Sequence, residues 1–473
     1  MKIKSFIRKH STSICFVLLF ISFAFFLTLF FCRDSDYFWH IKAGESILEH
    51  GILTHDVFSW VLLGKKWMSH EWLFEVFLAF LKAFFGVYHP VIYVFCSLVL
   101  LFLILFFTNK KNYLRNIPFS LIWIIFFLIF VGFIQARPHL ISFSLFAITI
   151  YLLYDLYRDE SSKKIYFLPL ITILWANVHG GSSNLPYLFC FIFLFCGLFQ
   201  FRFSKIEAMR LSKKQLIRYF CIMILCMICT CFNPHGIDMF FYPYVNILNT
   251  TMLSNISEWQ PTVLSNVSHY PYFILLVALI FSLLFSKKKI QWIDFVLLCV
   301  VAFLGLKSIR FWPYTYIVST YFIFSYIPEM KIVRGTNICL IGLVFLFFCL
   351  FVTQKDMILT SIQKERYDSR FIQIIKEENP QRLFNMYDDG GELIYHDILV
   401  FIDGRADLYS NYNYEDYLSI SNLEKNTSNL IEKYHFDYFL VHKSYPIYTY
   451  LKNNDRYIKI YSDEDIVFYK KKD

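Results

Sequence analysis

Apolar runs recur along the chain near residues 12–32, 71–86, 89–108, 118–135, 139–156, 165–178, 184–201, 218–232, 271–286, 291–306, 311–328 and 335–353. Runs of roughly 17–25 apolar residues predict helices that cross a bilayer. The run at 71–86 breaks the series. It is short and carries Glu71, Glu75 and Lys82. One charged side chain at a bilayer centre costs roughly 2.5–3.5 kcal/mol on insertion scales. Trp72, Leu73, Val76, Phe77 and Phe80 can share one helical face, so the segment reads as an amphipathic helix lying in the interface.

Taking the other eleven runs as spans gives every loop a consistent side. One set of loops holds Lys2, Lys4, Arg8 and Lys9, then Lys110, Lys111 and Arg115, then Arg158, Lys163 and Lys164. The stretch from Arg202 to Arg218, Lys287 to Lys289, and Lys331 with Arg334 complete it. The opposite loop at 233–270 holds no Lys or Arg. The positive-inside rule puts the basic set and the N-terminus in the cytoplasm. No small-residue cleavage site follows the first run, so it reads as an uncleaved membrane helix.

The expected fold is thus a polytopic α-helical membrane protein of about eleven spans, residues 1–353, in the plasma (cytoplasmic) membrane. Its first outer loop is 33–88, with the interfacial helix at 71–86. From 354 to 473 charge rises and helix and strand patterns alternate, which predicts a soluble extracytoplasmic α/β domain. Residues 361–378 read as helix; 382–386, 399–402 and 438–441 as strands; 457–461 and 466–469 as a hairpin.

Composition agrees: 57% of residues are hydrophobic and 17% charged. The net charge of +9 sits in short loops between spans, which is membrane topology and not a nucleic-acid surface. The twelve cysteines lie almost all in apolar runs, with neither disulfide nor zinc spacing.

The eleven-span topology gathers the unusual polar residues on the outer side. Asp34 and Asp36 lie directly after the first span, followed by His40. Two carboxylates two residues apart can hold a divalent cation, or one can act as a base while the other tunes it; capping of a helix is the plainer reading. His70 and Glu71 open the interfacial helix, where an acid is favoured anyway. Arg137 and Arg310 lie at outer span ends, suited to a phosphate by their planar fork or simply reaching toward headgroups. His139 follows Arg137 and Pro138, and Asn177, His179 and His235 stand in Asn–His–Gly turns; such turns are also plain turn chemistry. Asp403 and Arg405 follow a buried-looking run, as a binding loop or an internal salt-bridged turn.

Several of these stretches resemble one family. Asp34 to Glu45, His50 to Trp60 and Trp67 to Leu73 resemble the first outer loop of GT-C type membrane glycosyltransferases. So do Arg137-Pro-His139, Trp175 to Gly181, Asn233 to Gly236 and Val400 to Tyr409. The likeness is to a poorly characterised bacterial branch, in a superfamily that includes protein O-mannosyltransferases and aminoarabinose transferases. It implies a polyprenyl-phosphate sugar donor, membrane lipids as surroundings, and an acceptor that is a glycan, lipid or protein. It also implies an acidic base in the first outer loop, carried here onto Asp36 with Asp34 second. The expected activity is inverting sugar transfer at the outer face. The rivals are a transporter or flippase of lipid-linked glycans and a non-catalytic envelope scaffold that binds glycans. Metal use differs across the family, so a divalent cation on Asp34 and Asp36 stays open.

Overall fold

The computed structural model describes residues 2–30, 35–249, 254–328, 336–363 and 367–472. Backbone contacts divide the chain into two compact units. One comprises Met1–Cys32, Pro90–Tyr244 and Ser254–Ser361; the other comprises Arg33–His89, Val245–Leu253 and Ile362–Asp473. The segment Arg33–His89 and the C-terminal segment therefore fold as one body.

The first unit is helical. Among the described residues, six stretches are long and apolar enough to cross a membrane: His10–Thr28, Trp72–Thr108, His139–Arg158, Gly180–Gly197, Val267–Phe285 and Asn337–Gln354. The expected eleven is thus met by six on length and composition. Others fall short because turn residues end them early. The helix Leu168–Val178 has 11 residues and stops before His179-Gly180-Gly181. The run at 118–135 is α-helical only over Ile117–Ile125 and continues as a 3-10 helix over Phe126–Phe133. A 3-10 helix rises about 2.0 Å per residue against about 1.5 Å for an α-helix, so this run still rises about 30 Å, the thickness of a bilayer core.

Several buried polar groups inside this unit pair with one another. Asp294 accepts hydrogen bonds from the hydroxyls of Tyr154 and Tyr326, both at 2.6 Å. Trp123 stacks on Tyr316 and donates from Nε1 to Thr320 Oγ1 at 2.9 Å. Two basic loops form a small sheet that their sequence did not announce. Phe201–Phe203 pairs antiparallel with Ile206–Ala208, which pairs parallel with Ile290–Gln291. Lys205 Nζ donates to the carbonyl of Leu284, and Lys289 Nζ to that of Ser204.

In the second unit, the helix Asp36–His50 packs against the helix Trp72–Phe85. Gly44 permits this: an added Cβ would lie 2.5 Å from the carbonyl carbon of Glu75. The second helix ends at Gly86, whose φ of +53° suits a residue without Cβ. The 37-residue apolar stretch Trp72–Thr108 is broken at that point into helices of 14 and 20 residues. Phe80, Phe84 and Phe85 of the shorter helix stay exposed, while Phe74, Glu75 and Leu78 are buried.

A four-stranded sheet forms the rest. Leu383–Asn385 pairs parallel with Tyr438–His442, which pairs antiparallel with Ile466–Lys471, which pairs antiparallel with Tyr457–Ser462. Short runs of β-branched and aromatic residues mark most of these strands. The strand expected at 399–402 is absent. Val400 instead makes a single bridge to Ser59 of the first loop. The Asn385 side chain takes the place of a ladder, accepting from Phe401 N at 2.8 Å and donating to Ile402 O at 2.7 Å. The shared core joins Trp39, Ile47, Phe58 and Trp67 to Phe384, Leu393, Phe401, Phe439 and Phe468.

Candidate functional site

The two units each hold one polar cluster. In the second unit the cluster starts from helical spacing: Asp36 and His40 lie four apart, as do Glu71 and Glu75, so each pair shares a helix face. The facing helices bring them together. His40 Nε2 lies 3.5 Å from Glu71 Oε2, and His40 Nδ1 lies 3.6 Å from Glu75 Oε1. His70 Nε2 lies 3.3 Å from Glu71 Oε1, and His70 Nδ1 lies 3.9 Å from Asp407 Oδ2. Ser69 Oγ donates to Glu75 Oε2 at 2.7 Å. The result is a ladder of alternating carboxylates and imidazoles, buried at Glu75 and His40 and half-buried at His70 and Asp407.

Burial works against charge on His70. The charge and hydrogen bond of Glu71, aided by Asp407 and Glu75, more than offset it and raise the imidazole to about 9. His70 is therefore an imidazolium at neutral pH and a poor proton acceptor there. Asp36 is half-buried at the first turn of its helix, which leaves a carboxylate within reach of solvent.

The loop at 403–407 frames this cluster. Arg405 Nη1 donates to Asp56 Oδ1 at 2.6 Å, Nε to Asp403 Oδ1 at 2.8 Å, and Nη2 to Asp403 Oδ2 at 2.6 Å. Tyr409 OH donates to Asp403 Oδ2 at 2.5 Å. The guanidinium lies over Trp67 and Phe58. Arg405 is 2% exposed and both aspartates 0%, so Asp403 and Arg405 form an internal clasp and present no open binding edge. Asp56 itself accepts from Ser59 N and Oγ. The clasp fixes the backbone on which Gly404 meets Asp36 and Asp407 faces His70.

One further contact braces the same helix. His89 Nδ1 donates to Gly86 O at 2.6 Å, which leaves Nε2 to accept from Tyr37 OH at 2.7 Å.

In the first unit, Arg310 Nη2 donates to His179 Nε2 at 3.0 Å. His179 must then carry its proton on Nδ1, aimed at Ser142 Oγ (2.6 Å) and Ser182 Oγ (2.9 Å). Arg310 also stacks on Trp259, 5.0 Å from the ring centroid. Arg137 pairs with Glu258 at 3.2 Å. His139 bonds the Phe133 carbonyl at 2.7 Å. Asn177 donates to the carbonyls of Ile173 and Phe232, tying two turns together. His235 sits in a turn closed by Asn233 Oδ1 on its backbone N–H.

Of the residues expected from sequence, His40, His70 and Glu71 fall in one cluster, with Asp36 one turn before His40 on the same helix, and Arg137, His139, His179 and Arg310 fall in the other. Asp34 lies outside the described residues. Glu75, Asp407 and Asp56 emerge only from the structure. The i, i+4 spacing of Glu71 and Glu75 was the one available signal. Among the described residues, no group of three or more His, Cys, Asp or Glu side chains is arranged to hold a metal ion.

No known family model matches the sequence, and no curated protein does. Among solved structures, the chain is similar to the oligosaccharyltransferase of Archaeoglobus fulgidus in its apo form. The TM-score is 0.48 at 9% identity, over 87% of this chain. The chain spans 66% of the length of that protein. At that score and identity the likeness decides neither fold nor chemistry.

Proposed function

We propose that the chain is a membrane glycosyltransferase of the GT-C type, moving a sugar from a polyprenyl-phosphate donor to an acceptor at the extracytoplasmic face. The observation that supports this most is Arg310. Its guanidinium is half-buried, stacks on an indole and bonds a neutral imidazole, yet among the described residues it has no ion pair. A partly buried cation without an anion is unfavourable unless a ligand supplies one. A phosphate does so, and the guanidinium fork suits its oxygens.

In the proposed reaction each group has one role. Asp36 accepts the proton of an acceptor hydroxyl as its oxygen bonds the anomeric carbon. The bond from that carbon to the phosphate oxygen breaks, and the lipid phosphate leaves with the electron pair. The configuration inverts. Arg310, oriented by His179, is the phosphate-binding cation of the first unit. The helix Trp72–Phe85 lies in the interface, with Phe80, Phe84 and Phe85 toward lipid.

Removal of Arg310 tests the reading. Arg310→Ala should lower transfer from a radiolabelled lipid-phosphate sugar pool by about 10²-fold, the scale of one lost charge-stabilising donor, and Arg310→Lys should recover part. An Arg310→Ala protein within twofold of wild type would remove the support on which the reading stands.

A further inference from the structure

Gly404 lies so close to the carboxylate of Asp36 that any side chain there would displace it. A Cβ added there would overlap Asp36 Oδ1 and sit 2.6 Å from Cγ. The backbone that carries Gly404 cannot yield easily. Asp403 and Arg405 on either side are locked into the buried clasp with Asp56 and Tyr409. Gly404 O also accepts from Tyr387 OH at 3.1 Å and from Ala406 N at 2.9 Å. What can yield is the far end of the Asp36 side chain, which needs only a change of rotamer.

We infer that Gly404 is a positioning residue for Asp36: the clasp holds bare backbone against the carboxylate and thereby fixes where its oxygens point. The C-terminal segment thus sets the geometry of a first-loop side chain some 370 residues earlier in the chain. This rests on the reading of Asp36 as the base. The distinction from ordinary packing is sharp, because a neighbouring glycine behaves differently. At Gly390 an added Cβ would meet the backbone of Ile402 and Asp403, with Asp403 Cα at 2.6 Å. There the backbone must move, and the fold bears the cost. At Gly404 a rotamer moves, and the chemistry bears it.

The test compares Gly404→Ala, Gly390→Ala and Asp36→Asn in the full-length protein. Three readouts are taken: kcat and donor KM with the radiolabelled lipid-phosphate sugar pool, the unfolding midpoint, and the rate of carbodiimide labelling at Asp36 by mass spectrometry. Gly404→Ala should lower kcat at least tenfold with donor KM within threefold, leave the midpoint within a few degrees, and change Asp36 labelling at least threefold. Gly390→Ala should lower the midpoint. Unchanged labelling in Gly404→Ala, or a fall in kcat matched by a fall in midpoint, overturns the positioning role. If Asp36→Asn is inactive and Gly404→Ala fully active, positioning fails and the base survives. If Asp36→Asn is fully active, the base fails, and the catalytic meaning of Gly404 with it. The labelling change still reports the contact.

Discussion

Arg405→Met removes the centre of the buried clasp while keeping an unbranched apolar stem. Two carboxylates, Asp56 and Asp403, both 0% exposed, then lose their counter-charge. Removing one partner of a buried ion pair costs about 3–5 kcal/mol. The guanidinium also lies 4.6 Å from the centroid of Trp67 and 5.2 Å from that of Phe58, a contribution of about 1 kcal/mol. The expected loss is about 4–6 kcal/mol, confined to the unit that contains the clasp. Hydrogen exchange reads it directly: protection of the central-strand amides of Tyr438–His442 should fall about 10³–10⁴-fold. Arg405→Lys keeps the charge but not the fork that reaches both aspartates, and should fall between. Adding Asp56→Asn and Asp403→Asn to Arg405→Met should restore more than half the loss, because the stranded charges go with them. Protection within tenfold of wild type in Arg405→Met would refute the reasoning.

Two further outcomes follow from the same cluster. The imidazole of His70 is raised from its ordinary 6.5 to about 9. A raised base adds stability that is complete below about pH 6.5 and is lost as pH climbs through 9, here about 3 kcal/mol. Unfolding measured from pH 6 to 10 should show that slope, and His70→Gln should flatten it; an NMR titration of His70 centred near 6.5 would count against it. Gly44→Ala would press a methyl on the backbone of Glu75 and part the two helices, costing about 1–3 kcal/mol as overpacking does. An unchanged unfolding midpoint would show that the helices are not in such close contact.

The sequence was most informative where one side chain or a local period carries the signal. Asp36, His40, His70 and Glu71 stand out as polar groups in an apolar chain, and the structure gathers the last three. The strands at Tyr438–His442 and Ile466–Lys471 follow from short apolar runs of β-branched and aromatic residues. Glu75 and Lys82 read only as obstacles to a membrane span. In the fold they are partners: Glu75 faces His40, and Lys82 Nζ bonds Glu45 Oε1 at 2.6 Å. Asp407, two residues past Arg405, faces His70. Arg405 itself reaches Asp56, 349 positions away. Spacing cannot reveal such pairs, because they depend on which segments share a core. Fewer runs form long helices than their hydropathy suggests for a local reason: those near Gly–Gly and Pro turns end early.

The central claim is that Asp36 takes a proton during transfer from a lipid-phosphate sugar. The direct measurement is transfer from a radiolabelled polyprenyl-phosphate sugar pool by membranes holding equal amounts of wild-type and Asp36→Asn protein. The expected loss in Asp36→Asn is about 10²–10⁴-fold, the usual contribution of a positioned base, with membrane insertion unchanged. Transfer at the wild-type rate by Asp36→Asn would contradict it.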